Sequence, residues 1–169
     1  MTKLYDLTVP AFRRGFASLS AILKSGEAYA QEHGIAEADM LGTRLIADMA
    51  PLTAQIQRAS DTAKGAMVRL GGVPTIAMAD DETSFAALQQ RIVATLAFLD
   101  GVPRDAIDGK EDAVVTIVTP SRTLDFTGQS YVLGFVLPNF YFHITTAYAL
   151  LRMRGVPIGK MDFLGAYPA

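Results

Sequence analysis

Three stretches of the chain carry apolar side chains at alternating intervals of three and four residues, the spacing that lines one face of an α-helix. In the first, Val9, Phe12, Phe16, Leu19 and Leu23 form the stripe. Thr8 is placed to accept from the free amide groups at its start, and Pro10 is tolerated in a first turn. Glu32-His33-Gly34 closes it, the glycine suited to a left-handed cap. The second stripe runs through Leu45, Met49, Leu52, Ile56, Ala59, Ala63, Ala66 and Leu70. It predicts about seven helical turns, bent at Pro51 and stopped by Gly71-Gly72-Val73-Pro74. The third follows Asp80-Asp81-Glu82, whose charges suit a helix N-terminus. It buries Phe85, Leu88, Ile92 and Leu99 and ends at Gly101-Val102-Pro103.

After residue 112 the period changes. Ala113 to Val118 is β-branched and apolar, Thr119-Pro120-Ser121-Arg122 is turn-like, and Thr123 to Thr127 alternates, which together predict a short hairpin. A hairpin alone is marginal, so it must rest on the helices or on a partner chain. A fourth helix is expected from about Ser130 to Arg154, capped at Gly155 and apolar almost all round. The tail from Val156 to Ala169 is irregular, with Met161, Phe163, Leu164 and Tyr167 expected to pack down. The expected fold class is mainly α: a four-helix bundle with a short β-hairpin before its last helix, forming a single domain over residues 1–169. Surplus apolar surface on the last helix, and the hairpin's need for support, predict a homodimer.

Composition narrows the function classes. Half of the 169 residues are apolar and 19% are charged, which is globular. A net charge of −2 gives no long-range attraction to nucleic acid or to anionic lipid. Between Asp125 and Arg152 the only ionisable group near neutral pH is His143, and that run is long enough to span a bilayer. Yet it holds Gln129, Asn139, Thr145, Thr146, three tyrosines and Pro138, which fits a buried bundle helix better than a membrane span. Without cysteine there is no disulfide, thiolate ligand or thiol nucleophile. The opening residues lack the basic end and apolar run of a secretion signal, so a cytoplasmic protein is expected.

Few residues suggest chemistry. Of the two histidines, His33 lies beside a helix-ending glycine and reads as a surface cap. His143 is mid-helix in the most apolar segment, with Asn139 one turn before it and Thr146 continuing the same face. Burying such groups without partners costs about 1–3 kcal/mol each, so they form either a satisfied internal network or a ligand or metal pocket. Asp48, beside the second stripe and sharing a face with Arg44 and Gln55, is a possible third member, or else a solvated carboxylate. Asp61 and Lys64 read as a surface pair. No phosphate-binding loop, His-Glu-x-x-His pair or Gly-x-Ser-x-Gly elbow is present.

Longer motifs then carry a resemblance. Pro138-Asn139-Phe140-Tyr141-Phe142-His143, Thr146-Ala147-Tyr148, Leu151-Arg152 and the run from Gly155 to Gly165 resemble a bacterial family of unknown function within the DinB/YfiT-like superfamily of four-helix bundles. Asp61-Thr62-Ala63-Lys64-Gly65 and the segment from Leu4-Tyr5 to Val9-Pro10 resemble it too. Characterised metal-binding members of that superfamily use one histidine from the second helix and a His-x-x-x-His pair on the fourth, followed by an arginine and a glycine. Aligned on Arg152, the resemblance places His143 at the second histidine of the pair and Asn139 at the first, with Asp48 the nearest polar group on the second helix. Imidazole suits zinc or nickel, whereas an amide oxygen is a poor ligand for either. The resemblance thus implies a degenerate metal site of His143, Asn139 and Asp48, holding a weakly bound divalent ion or none. The leading expectation is a homodimer that binds a small molecule in a polar pocket of His143, Asn139, Asp48 and Thr146 between the second and fourth helices. A metal-dependent hydrolase or thiol transferase, and a structural or stress-associated protein without catalysis, are the alternatives.

Overall fold

The first stripe folds as one long helix. In the computed structural model, which describes residues 3–119 and 121–165, α1 spans Leu4–Glu32 and buries Val9, Phe12, Phe16, Leu19 and Leu23 completely. It begins earlier than Thr8 because its first free amide is satisfied from a distance: the Tyr5 N–H donates to Asp108 Oδ1 at 3.1 Å. Thr8 instead lies inside the helix and donates its hydroxyl to the Leu4 carbonyl at 2.7 Å. The left-handed Gly34 follows the last turn, as expected.

The second stripe is shorter than its spacing predicts. A five-residue helix α2, Glu37–Leu41, is followed by an irregular segment, and α3 starts only at Leu52 and runs to Gly71. Pro51 is the extended residue that precedes α3 rather than a bend within it. Proline disfavours helical backbone in the residue before it, so the pattern cannot propagate back through Ala50. Leu45 and Ile46 are consequently exposed, while Leu52, Ile56, Ala59, Ala63, Ala66 and Leu70 are buried.

The third helix, α4, spans Phe85–Asp100 and is capped by Ser84, whose hydroxyl accepts from the Ala87 amide at 3.1 Å. Its expected stripe of Phe85, Leu88, Ile92 and Leu99 is buried. A single turn, α5 (Arg104–Ile107), leads into the hairpin. Strands β1 (Val114–Val118) and β2 (Thr123–Thr127) pair antiparallel, with Thr116 opposite Asp125. Val115 and Ile117 turn inward, and Val114 and Val118 face outward. The hairpin rests on its own chain: the Phe126 ring lies 5.8 Å from Tyr131 and 5.9 Å from Phe135.

The last helix is continuous but not uniform. It starts as α6, Gly128–Tyr131, widens into a π turn over Val132–Val136, and continues as α7, Leu137–Met153. In the π turn the Leu137 amide reaches the carbonyl of Val132. Pro138 follows immediately; lacking an N–H and crowding the preceding turn, it favours such a local rearrangement. Beyond the helix, α8 (Lys160–Leu164) folds back so that Phe163 packs on Tyr148 at 5.7 Å. Met161 is exposed rather than packed down, because it occupies the outer side of that short turn. Tyr167 lies outside the described residues.

The four long helices close a ring: α1 packs on α4 and α7, and α3 packs on the same two. The fold is therefore mainly helical with a small antiparallel hairpin before the last helix. Among the described residues no helix is long and apolar enough to cross a membrane. The direct contact of α3 with α7 positions the polar groups considered next.

Candidate functional site

Polar residues recur on α3 at alternating intervals of three and four: Gln55, Arg58, Thr62 and then Arg69 beyond Gly65. On the last helix Tyr131, Phe135, Asn139 and His143 recur every four residues. A spacing of four drifts by about 40° per step in a helix of 3.6 residues per turn, so three steps would carry these residues about 120° round the axis. The wider π turn takes back part of that drift. As a result all four line one hollow of about 300 Å³ with Arg58, Thr62 and Arg69 opposite.

At the floor of this hollow His143 is only 6% exposed. Its Nδ1 lies 2.9 Å from Gln55 Oε1, and the Gln55 Nε2 donates at 2.9 Å to the Ala50 carbonyl. That second bond fixes the orientation of the amide, so an oxygen faces the imidazole. An oxygen can only accept; the proton therefore sits on Nδ1, and Nε2 carries a bare lone pair. Asn139 is held in a similar way. Its Nδ2 donates to Thr62 Oγ1 at 2.7 Å, and that hydroxyl donates to the Arg58 carbonyl at 2.7 Å. Neither His143 Nε2 nor Asn139 Oδ1 has a hydrogen-bond partner among the described residues.

Burial, reinforced by the nearby charge of Arg58, lowers the His143 pKa from 6.5 to about 4. The imidazole is thus neutral at physiological pH. Because the unfolded chain binds this proton more readily than the folded one, the shift contributes stability above pH 6.5 that is lost as pH falls toward 4. The loss amounts to about 3 kcal/mol if the whole shift is expressed. Urea denaturation of the wild type and His143→Gln at neutral pH and at mildly acidic pH should show a stability gap that contracts in acid. An equal gap at both pH values would contradict the shift.

The other expected site residues lie elsewhere. Asp48 is not on a helix at all: it occupies an exposed turn between α2 and α3 and does not line the hollow, since Pro51 starts α3 after it. Its neighbour Arg44 donates to the Met49 carbonyl at 2.5 Å rather than pairing with Asp48. Thr146 donates to the Phe142 carbonyl at 2.7 Å and opens onto a different, mostly apolar groove of about 410 Å³ beside Leu45, Tyr141 and Phe142. Asp61 and Lys64 pair at 3.1 Å, but Lys64 is buried, and Asp61 also receives Arg91 at 3.1 Å. Thr62, Arg58, Arg69, Tyr131 and Phe135 complete the hollow, with Gln55 bonded to His143 behind it, and the sequence reading places none of them there. The recurring polar stripe on α3 is the signal that could have found them.

As a metal site this constellation is poor. Among the described residues no group of three or more His, Cys, Asp or Glu is placed to hold an ion. The hollow offers one imidazole nitrogen and one amide oxygen, its carboxylate is already shared between two cations, and guanidinium groups line its wall. The residues do not fit the metal that the DinB/YfiT-like resemblance implies.

None of the curated proteins matches the chain. Among solved structures it is similar to a crystal structure of a DinB family member protein from Shewanella denitrificans. The two share 39% sequence identity and a TM-score of 0.88, over 98% of this chain and 94% of that one. Residues 4–164 match the family described as Domain of unknown function (DUF1993). With its bundle, hairpin and π-turned last helix, the chain belongs to that DinB-like family of unknown function.

Proposed function

We propose that this protein binds a small molecule in the hollow between α3 and α7. The observation that carries this reading is the pair of oriented acceptors, His143 Nε2 and Asn139 Oδ1, which lack protein partners beside a space of about 300 Å³. Neither acceptor is sealed from solvent, so water can satisfy both until a ligand takes its place. Each side chain is anchored through one end, at Gln55 and at Thr62, leaving the other end available. Fragment screening by amide NMR tests this reading. Binders should perturb Thr62, Asn139 and His143 together, and this response should be lost in Asn139→Leu. Failure of a chemically diverse fragment set to move these residues would reject the reading.

The same reading includes a homodimer formed through the outer face of α7. Tyr141, Phe142 and Met153 are exposed on that helix, and Leu45 and Ile46 lie exposed in the irregular segment before α3. Leu45, Tyr141 and Phe142 line one apolar groove, and exposed apolar surface of this kind supports an interaction face. Sedimentation at micromolar concentration should give a dimer that Phe142→Glu dissociates. A wild-type protein that sediments as monomer would refute the assembly without touching the hollow.

A further inference from the structure

Resting on that reading of the hollow, we propose that its ligand is a small organic anion that also carries a hydroxyl or amino group. The anionic end is held by Arg58 and Arg69, and the donor group is offered to His143 Nε2 and Asn139 Oδ1. The argument begins with the charges. Arg58 and Arg69 line the hollow, and neither guanidinium pairs with a carboxylate among the described residues. The one acidic side chain in the lining, Asp61, is already engaged by Lys64 and Arg91, both at 3.1 Å. The hollow therefore presents two guanidinium groups with no carboxylate partner of their own, beside a carboxylate already bonded to two other cations. An arginine lining a recess is matched by planar carboxylate or phosphate oxygens.

Local structure brings the two cations within reach of one ligand. Eleven residues of helix separate them, about 16 Å along the axis. Arg69, however, lies back over Gly65: a Cβ built there would sit 2.5 Å from its Nη1. The missing side chain thus places the Arg69 guanidinium a full turn closer to Arg58. From there its Nη1 also approaches the Tyr131 hydroxyl at 3.3 Å. The deeper wall has the opposite character. His143 Nε2 and Asn139 Oδ1 can accept but not donate, because their neighbouring nitrogens are committed to Gln55 and Thr62. A ligand that satisfies both walls combines a negative charge with an O–H or N–H donor.

The test follows the His143 ring proton by NMR near neutral pH at constant ionic strength, with the exposed His33 as internal reference. The probes are glycerol 3-phosphate and glycerate, which combine anion and donor, inorganic phosphate, which has the anion alone, and glycerol, which has the donors alone. Either combined probe should give a saturable shift, with binding about tenfold tighter than phosphate or glycerol, the worth of one charge-assisted contact. The tighter of the two combined probes assigns the anion as phosphate or carboxylate. Arg58→Gln and Arg69→Gln, both exposed and so expected to fold, should each weaken binding about fivefold to tenfold. No shift with either combined probe, or equal binding in the double variant, would overturn the proposal. If glycerol moved His143 and the anions did not, the hollow would still bind a small molecule and only the anionic class would be refuted. If no probe or neutral fragment moved it, both readings would fall.

Discussion

Phe140→Ala is expected to destabilise the protein by about 3–5 kcal/mol, the range for emptying a fully buried phenylalanine site. Phe140 is wholly inaccessible on the side of α7 that faces α1. Its ring meets Phe12 at 4.9 Å and Phe16 at 5.2 Å, both edge-on, at 70° and 68°, a geometry that adds about 0.5–1.5 kcal/mol per pair beyond area burial. The ring also presses onto Gly15, where a Cβ would lie 2.5 Å from its Cε1. Helix α1 can approach α7 this closely only because residue 15 has no side chain. The two positions should therefore be coupled. Gly15→Ala, costly in the wild type by overpacking, should cost less in the Phe140→Ala background, where the added methyl enters the vacated space. Thermal and urea denaturation of the four proteins gives the cycle. A Phe140→Ala loss below about 1 kcal/mol, or strict additivity with Gly15→Ala, would show that this contact does not set the α1–α7 distance.

Arg91→Met should have a comparable effect for an electrostatic reason. The Arg91 side chain is 2% exposed and reaches Glu82 at 2.7 Å, Asp80 at 2.9 Å, Asp61 at 3.1 Å and the Ala79 carbonyl at 3.0 Å. One guanidinium thus ties the segment that leads into α4 to both α3 and α4. Asp61 and Asp80 are half-exposed and can re-solvate, but Glu82 is 9% exposed and would keep only its bonds from Gln57 and from its own backbone amide. Removing one partner of a buried pair costs about 3–5 kcal/mol because the remaining charge is stranded. The pH dependence carries the same signature. Burial alone would raise the Glu82 pKa; the hydrogen bonds from Gln57 and Arg91 outweigh it, so the net shift is downward. A lowered carboxylate contributes stability above its ordinary pKa of 4.5 and loses it as pH falls through the lower folded value. The wild type should lose this contribution in strong acid, and Arg91→Met should already lack most of it at neutral pH. Arg91→Lys should rescue little, since one ammonium cannot serve three carboxylates and a carbonyl.

These two residues also show what was legible in the chain. The stripe of α1 and that of α4 are strong periodic signals over long segments, and the core they predict is the core observed. The hairpin was legible because β-branched residues flank a turn at both its ends. The second helix was misread at its start because Leu45 and Met49 extend the spacing through Pro51, and spacing alone does not register that proline restricts the residue before it. The cap of α1 was illegible for another reason: Asp108 supplies it from 103 residues away. Nothing in the periodic pattern marks Arg91, since its partners lie in the irregular segment before α4 and on another helix. Of the proposed site, His143 and Asn139 stood out as polar groups on an apolar helix. Gln55 stands out in the sequence only as a neighbour of Asp48, and the arginines opposite are hidden among other surface charges.

The π turn has a consequence for how this chain tolerates change. In an ordinary surface loop the loss of one residue is absorbed within a few bonds. Val132–Val136 is the place where the last helix accommodates one residue more than a regular helix would. A single-codon deletion there would restore regular hydrogen bonding and leave a helix of good local quality. The π turn already absorbs the rotation of its extra residue, so Gly128–Tyr131 and the strands attached to it would stay close to their present orientation relative to α7. Tyr131 would stay in the row completed by Asn139 and His143, whereas a deletion from the regular turns of α7 would swing everything before it by about 100°. The segment thus holds the slack of the last helix, the place where the loss of one residue would be absorbed best.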